Sequence, residues 1–219
     1  MSFRAADPPA GAARRRRASR SAAAAARRRR RAFLFVAFLG LVALATAALA
    51  PLFRTAVRDL SLPLAHEHAI REQAREKRLD PALIAAVIYA ESKFADQTSS
   101  AGALGLMQLM PETARFIAQR SGGTAFTLED LSTPEINIAY GSWYLRYLLD
   151  HFGGDEVLAL AAYNGGMGNV ERWLAQARAR GEPFRREAIP FPETREYVER
   201  VLEARRLYAE TYPDELGVR

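Results

Sequence analysis

Apolar and polar positions divide the 219-residue chain into one uncharged stretch followed by a series of helix-like segments. Residues 32–50 (AFLFVAFLGLVALATAALA) carry no charge, and these 19 residues approach the roughly 20 that an α-helix needs to cross a bilayer. From residue 62 onward, apolar residues recur at helical spacing, and glycine pairs or prolines separate the segments. The pattern predicts one N-terminal transmembrane helix followed by an all-α domain of short helices.

One predicted helix carries a carboxylate on its apolar side. Asp80 and Pro81 are typical of a helix start, and apolar residues follow at positions 83, 84, 87 and 88. Glu91 lies four residues after Val87 and therefore continues this apolar stripe. Burial and the negative end of its own helix would both raise the pKa of Glu91, as a general acid near neutral pH requires. The alternative is that the helix ends here and the side chain turns out to water.

The basic character of the chain is confined to its N-terminal tail. Residues 1–31 contain eleven arginines and one acidic residue, a net charge of +10. Because the whole chain carries +6, the remaining residues carry −4, so the folded part is mildly acidic and no nucleic-acid-binding face is indicated. The chain has no cysteine, which excludes disulfides and thiolate metal sites.

The arginines at 27–31 directly precede the uncharged stretch. By the positive-inside rule they stay in the cytoplasm, so the chain after Pro51 is exported. The stretch is longer than the 7–15 apolar residues usual in a cleaved signal peptide, which favours an uncleaved anchor. Cleavage at the small-residue sites 45–47 or 48–50, followed by secretion, is the alternative.

Three short motifs follow one another along the exported part. They are Glu91-Ser92, segment 102–111 (GALGLMQLMP) and segment 162–166 (AYNGG). Each is weak alone, since glycine-rich turns are common and a methionine such as Met107 usually packs in a core. Their order and spacing, together with segment 189–198 (IPFPETREYV), resemble the lytic transglycosylases of the soluble-lytic-transglycosylase (SLT) type, which are relatives of goose-type lysozyme. The likeness covers about Leu62 to Tyr212.

The resemblance implies a lysozyme-like α-helical domain with a groove for a peptidoglycan glycan strand. Glu91 would be the single catalytic acid, cleaving the MurNAc-GlcNAc β-1,4 bond without water and leaving a 1,6-anhydroMurNAc end. Most glycosidases use two carboxylates, and the matched motifs offer no second one in an evident catalytic role. The family's route agrees with that absence, because the substrate's own 2-acetamido group assists and the glutamate acts first as acid and then as base.

With the resemblance included, the chain is expected to have five parts. These are a disordered Arg-rich cytoplasmic tail (1–31), a transmembrane signal anchor (32–50), a linker (51–61), a lytic transglycosylase catalytic domain (62–212) and a C-terminal tail (213–219). The expected location is the inner membrane, crossed once, with the catalytic domain on the periplasmic side.

Substrate-binding roles follow from the same resemblance. Gln108 would hold an N-acetyl group beside the scissile bond, and Met107 would pack on the face of a sugar. Tyr163 would place its hydroxyl near Glu91 or the acetamido group. Asn164 would fix the loop that presents this tyrosine.

Four further residues have weaker assignments. Ser92 would position the end of the catalytic helix, and it is also an ordinary capping residue. A family serine precedes the second motif; Ser99 matches it by distance to that motif and Ser100 by distance from the first, and we take Ser99. Glu193 and Tyr197 would face the groove near the peptide stem, with a surface acid and a core aromatic as the alternative.

Two other classes of function compete with a transglycosylase. A hydrolytic, lysozyme-type muramidase would use the same groove and add water to the product. A non-catalytic peptidoglycan-binding module would keep the groove but have no need of a protonatable acid in it. No metal, organic cofactor or nucleic-acid partner is expected, and the sequence does not indicate an oligomeric state.

Overall fold

The computed structural model describes residues 62–123 and 125–218, together with the single positions 41, 44 and 46. The predicted cytoplasmic tail, most of the anchor at 32–50 and the linker at 51–61 therefore lie outside the described residues. Within the described part, no helix is both long and apolar enough to span a membrane. The chain divides into two units, Met1–Arg58 and Asp59–Arg219.

Residues 62–218 form eight α-helices and two short 3₁₀ helices, with no strand in this part of the chain. The α-helices are α1 Glu67–Lys77, α2 Pro81–Ser92, α3 Pro111–Ser121, α4 Pro134–His151, α5 Glu156–Gly165, α6 Met167–Ala179, α7 Pro192–Thr211 and α8 Pro213–Leu216. The 3₁₀ helices are Leu128–Ser132 and Arg186–Ala188. The predicted all-α class is confirmed for these residues.

Prolines and aspartates set where these helices begin. Five of the eight, α2, α3, α4, α7 and α8, start with proline, whose fixed φ suits the first helical position and whose missing N–H leaves no donor unpaired. At the start of α2, the Asp80 carboxylate accepts a hydrogen bond of 2.9 Å from the backbone N–H of Ala82. At the start of α5, Asp155 accepts one of 3.0 Å from the N–H of Leu158. Both aspartates satisfy helix-end donors that would otherwise be unpaired.

Helix α2 is buried on every side rather than along one stripe. All seven residues from Ala82 to Ile88 are at most 2% exposed. The alanines on the faces between the larger side chains leave room for α1 and α7, which both pack against α2. A helix that is apolar all round is a core helix, so Glu91 near its end enters an environment that is more apolar than the sequence pattern alone indicated.

Helix α7 closes the core from the C-terminal side. It has 20 residues, and its buried side chains lie against α2 and α5. The Arg205 guanidinium joins the two helix starts, binding Asp80 and Glu156 at 2.6 Å each. Near its end, the hydroxyls of Tyr208 and Tyr212 donate to backbone carbonyls at the beginning of the domain. These contacts fix α7 beside α2.

Two boundaries differ from the sequence predictions. Residues 213–219, expected to be a tail, include α8, and Leu216 is 1% exposed because α8 packs against α1 and α7. The loop expected to present Tyr163 is reduced to Gly166, which alone lies between α5 and α6. Gly166 adopts φ 87°, a conformation that glycine reaches at no steric cost, so one residue is enough to separate the helices.

Candidate active site

Glu91 is the second-last residue of α2, at the edge of the core. Burial is the main influence and raises its pKa, while the hydroxyl of Tyr197 and the charge of Arg200 lower it; the result is a pKa of about 7 instead of 4.5. The side chain is only partly exposed, so the alternative of a carboxylate turned fully into water does not describe it. A carboxyl group with this pKa can give up a proton and take one back near neutral pH.

The backbone turns sharply just after Glu91. Lys93 and Phe94 both adopt left-handed φ angles, 53° and 63°. The N–H of Lys93 donates to the carbonyl of Tyr89 at 3.1 Å. The hydroxyl of Ser92 donates to the carbonyl of Ile88 at 3.2 Å, so this serine is bound within its own helix. The turn ends α2 one residue after the acid and leads the chain into the loop that follows.

The loop at 96–110 is held by its own side chains. Ser99 accepts a hydrogen bond of 3.0 Å at Oγ from the N–H of Ala103, and the two residues also pair through their backbones. Gln108, at φ 47°, donates from Nε2 to the carbonyls of Gln97 and Gly105 at 2.9 and 2.7 Å. The predicted substrate residues Ser99 and Gln108 therefore also shape this loop, whatever else they bind.

Asn137 fastens the same loop to α4. Its side-chain oxygen accepts from the N–H of Met107 at 2.8 Å, and its nitrogen donates to the carbonyls of Leu104 and Leu131 at 3.0 Å each. It is fully buried. Asn137 was not predicted to have a role, because in the sequence it is only a single amide among the apolar positions of a helix.

Tyr163, on α5, faces Glu91 from another side. Its hydroxyl donates to the backbone carbonyl of Met107 at 2.9 Å. Burial, followed by the charge of Glu91, raises the pKa of Tyr163 well above its ordinary value, so the phenol stays protonated. The tyrosine therefore connects the loop at 96–110 with the environment of the acid.

Met107 does not lie where its predicted role requires. Its side chain is fully buried, and a methyl group built on Gly141 would approach the Met107 sulfur to 2.3 Å. The predicted contact with the face of a sugar is therefore unavailable to this side chain, because the packing of α4 against the loop covers it. Its backbone carbonyl, which accepts from Tyr163, is the part that reaches the site.

Asn164 holds two helices together. It lies in the last turn of α5, which continues to Gly165, so Tyr163 is presented by a helix rather than by the expected loop. Its side-chain oxygen accepts a hydrogen bond of 2.8 Å from the hydroxyl of Thr194 on α7. Thr194 is 2% exposed and was missed by the sequence analysis.

Helix α7 brings two groups to Glu91. Tyr197 is 1% exposed, and its hydroxyl interacts with the carboxylate of Glu91. This burial excludes the predicted contact between Tyr197 and a peptide stem. The guanidinium of Arg200 lies 5.8 Å from the centre of the Tyr197 ring. Glu193, in the first turn of the helix, is exposed, as either of its two interpretations allows.

An aromatic surface continues outward from Tyr163. Tyr144 lies 5.5 Å from it, centre to centre, and is followed along α4 by Tyr147. These rings border a cavity of about 240 Å³ whose lining residues are Glu112, Thr113, Phe116, Tyr144, Tyr147 and Met167. Flat aromatic faces beside polar groups suit the apolar faces of sugar rings.

The groups that act on Glu91 in the described part of the chain are phenols and a guanidinium. Among the described residues, the side chains that perturb Glu91 are Tyr197 and Arg200, and Tyr163 in turn responds to its charge. The same residues hold no group of three His, Asp or Glu side chains placed to bind a metal ion. The site is one carboxyl group with a near-neutral pKa, placed among phenols and one guanidinium.

The family model that matches this chain is the Transglycosylase SLT domain, over residues 68–183. That range is more than half of the chain, and it includes Glu91, Gln108 and Tyr163. The chain belongs to the transglycosylase SLT domain family.

Individual relatives agree with this assignment. The soluble lytic murein transglycosylase of Salmonella typhimurium is 36% identical over 148 residues, which are 64% of this chain and 22% of that protein. The structure of an inactive Glu-to-Gln mutant of the lytic transglycosylase Slt from Pseudomonas aeruginosa matches with a TM-score of 0.63 and 36% identity, covering 70% of this chain and 25% of that one. The 70 kDa soluble lytic transglycosylase of Escherichia coli matches with a TM-score of 0.65 and 32% identity, covering 72% and 26%. This chain thus spans about a quarter of the length of these relatives.

Proposed function

We propose that this protein is a peptidoglycan lytic transglycosylase that cleaves the MurNAc-GlcNAc β-1,4 bond with Glu91 as its single acid and base. The observation that carries the proposal is the pKa of about 7 that burial gives Glu91, at the end of a core helix and beside Tyr163 and Tyr197. Membership in the SLT family supports the choice of substrate.

In the first step, protonated Glu91 donates its proton to the oxygen that links the two sugars. The bond between C1 of MurNAc and that oxygen breaks, and GlcNAc leaves with a hydroxyl group. At pH 7, about half of the Glu91 side chains carry the proton this step needs. A carboxyl group at its ordinary pKa would be almost entirely ionised.

Positive charge then develops at C1 of MurNAc. The 2-acetamido oxygen of the same sugar stabilises it, which agrees with the absence of a second carboxylate among the described residues that perturb Glu91. The protonated hydroxyl of Tyr163 supplies a dipole on the same side. In this route, the substrate provides the partner that most glycosidases take from a second acid.

In the second step, Glu91 acts as base. Its carboxylate removes the proton from the C6 hydroxyl of MurNAc, and the C6 oxygen forms the bond to C1. The product is a 1,6-anhydroMurNAc end, and Glu91 recovers the proton it donated. A pKa near the working pH serves both halves of the cycle, since neither the acid nor the base is too weak.

Binding of the glycan uses the surface on both sides of the acid. The cavity beside Tyr144 and Tyr147 offers aromatic faces to one sugar. Gln108, on the loop at 96–110, lies partly exposed and is positioned to bind an N-acetyl group. Exposed Glu193 contacts the peptide stem in the same proposal, whereas Ser92 and Ser99 hold the backbone and Asn164 joins α5 to α7 through Thr194.

The decisive experiment is mass spectrometry of fragments released from sacculi by the purified full-length protein. We expect fragments with 1,6-anhydroMurNAc ends. Fragments heavier by one water would favour the hydrolytic muramidase, and binding without release would favour the binding module. Glu91→Gln should lower the rate about 1000-fold while sacculus binding remains, since general acid–base catalysis typically contributes 10²–10⁴-fold.

A matched control removes an acid far from the site. Glu210 is an exposed acid near the end of α7, paired with Arg206, and Glu210→Gln should keep the parent rate. Undiminished anhydro product from Glu91→Gln would rule out Glu91 as the acid.

For the location, we propose a single-pass anchor at residues 32–50 in the inner membrane, with the SLT domain in the periplasm. The support is the sequence pattern: an uncharged stretch preceded by arginines. Fractionation of cells producing the full chain tests it. Recovery in the membrane pellet at full length is expected, and a shortened soluble product would indicate a cleaved signal peptide instead.

A further inference from the structure

Arg200 differs from the two arginines that follow it on α7. Arg205 and Arg206 each bind two carboxylates, whereas Arg200 makes no ion pair among the described residues. Of the acids nearest to it along the helix, Glu203 binds Arg206 and Glu199 binds Arg186, while Glu196, one turn earlier, forms no ion pair with it in the described part of the chain. Arg200 therefore keeps a positive charge that no ion pair neutralises among these residues.

That charge lies on the ring that faces the catalytic acid. The Arg200 guanidinium carbon is 5.8 Å from the centre of the Tyr197 ring, within the range of a cation–π contact. Tyr197 is buried, and no hydrogen bond of ordinary geometry reaches its hydroxyl in the described part of the chain. Its ring is held by what packs on it, which includes the apolar core and the Arg200 guanidinium.

We infer that Arg200 is a positioning residue for Glu91: it holds the Tyr197 ring against the acid, and its charge favours the carboxylate form. This inference rests on the proposed function, because it concerns the return of the proton in the second step. Burial alone favours the protonated acid, which suits the first step. The charge of Arg200 counteracts this effect of burial and favours the ionised carboxylate, so that a base is available for ring closure.

Few other groups act on the acid. Tyr197 and Arg200 reach Glu91 from α7, and Tyr163 reaches it from α5. Both phenols remain protonated, because burial and the charge of Glu91 raise their pKa values well above the ordinary value. Arg200 is thus the only fixed positive charge among the described groups that act on Glu91, so removing it should change the titration in one direction.

The test that needs no catalysis is an NMR titration of glutamate labelled with ¹³C at its carboxyl carbon, in the full-length protein. The Glu91 signal is assigned by its loss in Glu91→Gln. Arg200→Gln should raise the Glu91 midpoint by about half a pH unit, because an exposed positive charge that acts on a partly buried acid lowers its pKa by roughly that amount. Arg200→Lys keeps the charge and should restore most of the parent midpoint.

Arg206→Gln is the matched control, since it removes the same charge from the same helix at a residue whose partners are Glu203 and Glu210. Its Glu91 midpoint should equal that of the parent. Equal midpoints in Arg200→Gln and the parent would overturn the inference, as would an equal rise in Arg206→Gln, which would reflect net charge alone.

The pH dependence of anhydro-product release separates this inference from the proposed function. The alkaline limb reports loss of the proton from Glu91, so it should move to higher pH in Arg200→Gln and return with Arg200→Lys. A parent protein that releases no anhydro product refutes the proposed function even if the NMR midpoint rises. An active parent whose alkaline limb stays fixed in Arg200→Gln refutes only the role of Arg200.

Discussion

The two sides of the site are built in opposite ways. On one side, helices α2 and α7 place Glu91 and Tyr197 through apolar packing, and the segment from Ala82 to Ile88 is almost completely buried. On the other side, the loop at 96–110 also buries apolar side chains such as Met107, but polar side chains such as Asn137 and Gln108 hold its backbone in shape. Apolar burial creates the unusual pKa, whereas hydrogen bonds give the loop its shape.

On the helical side, the burial of Glu91 should lower the free energy of unfolding at any pH where its carboxyl group is ionised. Because the folded protein raises the pKa of Glu91 from 4.5 to about 7, it binds this proton more tightly than the unfolded chain. The free energy of unfolding should therefore fall as the pH rises from about 4.5 to about 7 and stay level above that. Glu91→Gln, which has no carboxyl group to ionise, should be more stable than the parent by about 3 kcal/mol at pH 8 and nearly equal to it at pH 4.

Urea denaturation of both proteins at the two pH values measures this difference. Glu210→Gln should not reproduce it, because that acid is exposed and ion-paired. Equal stabilities of parent and Glu91→Gln at pH 8 would mean that the acid is not buried as described.

The loop at 96–110 should be destabilised by substitutions that disturb the hydrogen bonds holding its backbone. A Cβ atom on Gly105 would lie 2.1 Å from the side-chain nitrogen of Asn137 and 2.7 Å from the carbonyl oxygen of Leu131, and φ is +72°. Gly102 has a similar φ of +85° but nothing within 4 Å. Both alanine variants should lose about 1 kcal/mol of stability, because alanine disfavours the left-handed conformation. Gly105→Ala should lose about 2 kcal/mol more, because its Cβ atom displaces Asn137.

The difference between the two glycine variants is the informative quantity, since the conformational cost cancels. Thermal unfolding of each variant beside the parent provides it. Equal losses would show that Asn137 is free to move without disturbing the loop.

The smallest expected effect tests a hydrogen bond within the helical side. Thr194→Val keeps the shape of the side chain and removes the hydroxyl that donates to Asn164. Because one partner stays behind and Asn164 is exposed enough to bind water, the loss should be about 1 kcal/mol. Denaturation of Thr194→Val beside Thr194→Ser, which retains the donor, measures this loss of stability. A loss above about 3 kcal/mol would mean that hydrogen bonds, and not mainly apolar packing, stabilise the helical side.

Much of this arrangement could be predicted because its signals are local. Proline and aspartate mark the helix starts, and the helical spacing of apolar residues marks α2 and the position of Glu91 within it. The motifs identified the family, which the matched model confirms. Met107 was assigned to the wrong surface, because a motif states which residue is present but not which side of the backbone is covered.

Residues joined across the chain could not be found in this way. Thr194 and Asn164 are 30 residues apart, and Asn137 is 30 residues from Met107. Each looks like an ordinary polar residue until folding brings its partner near. Arg200 is similar, since its contact with Tyr197 spans one helical turn but its effect on Glu91 spans more than a hundred residues.

The sequence by itself determined the helices, the family and the choice of Glu91 as the candidate acid, because periodicity, capping residues and short motifs are written in neighbouring positions. Only the tertiary structure decided the proton affinity of Glu91 and the groups that control it. A pKa depends on how much water and charge surround a carboxyl group, and that environment is supplied by α5 and α7, which lie far from Glu91 in sequence.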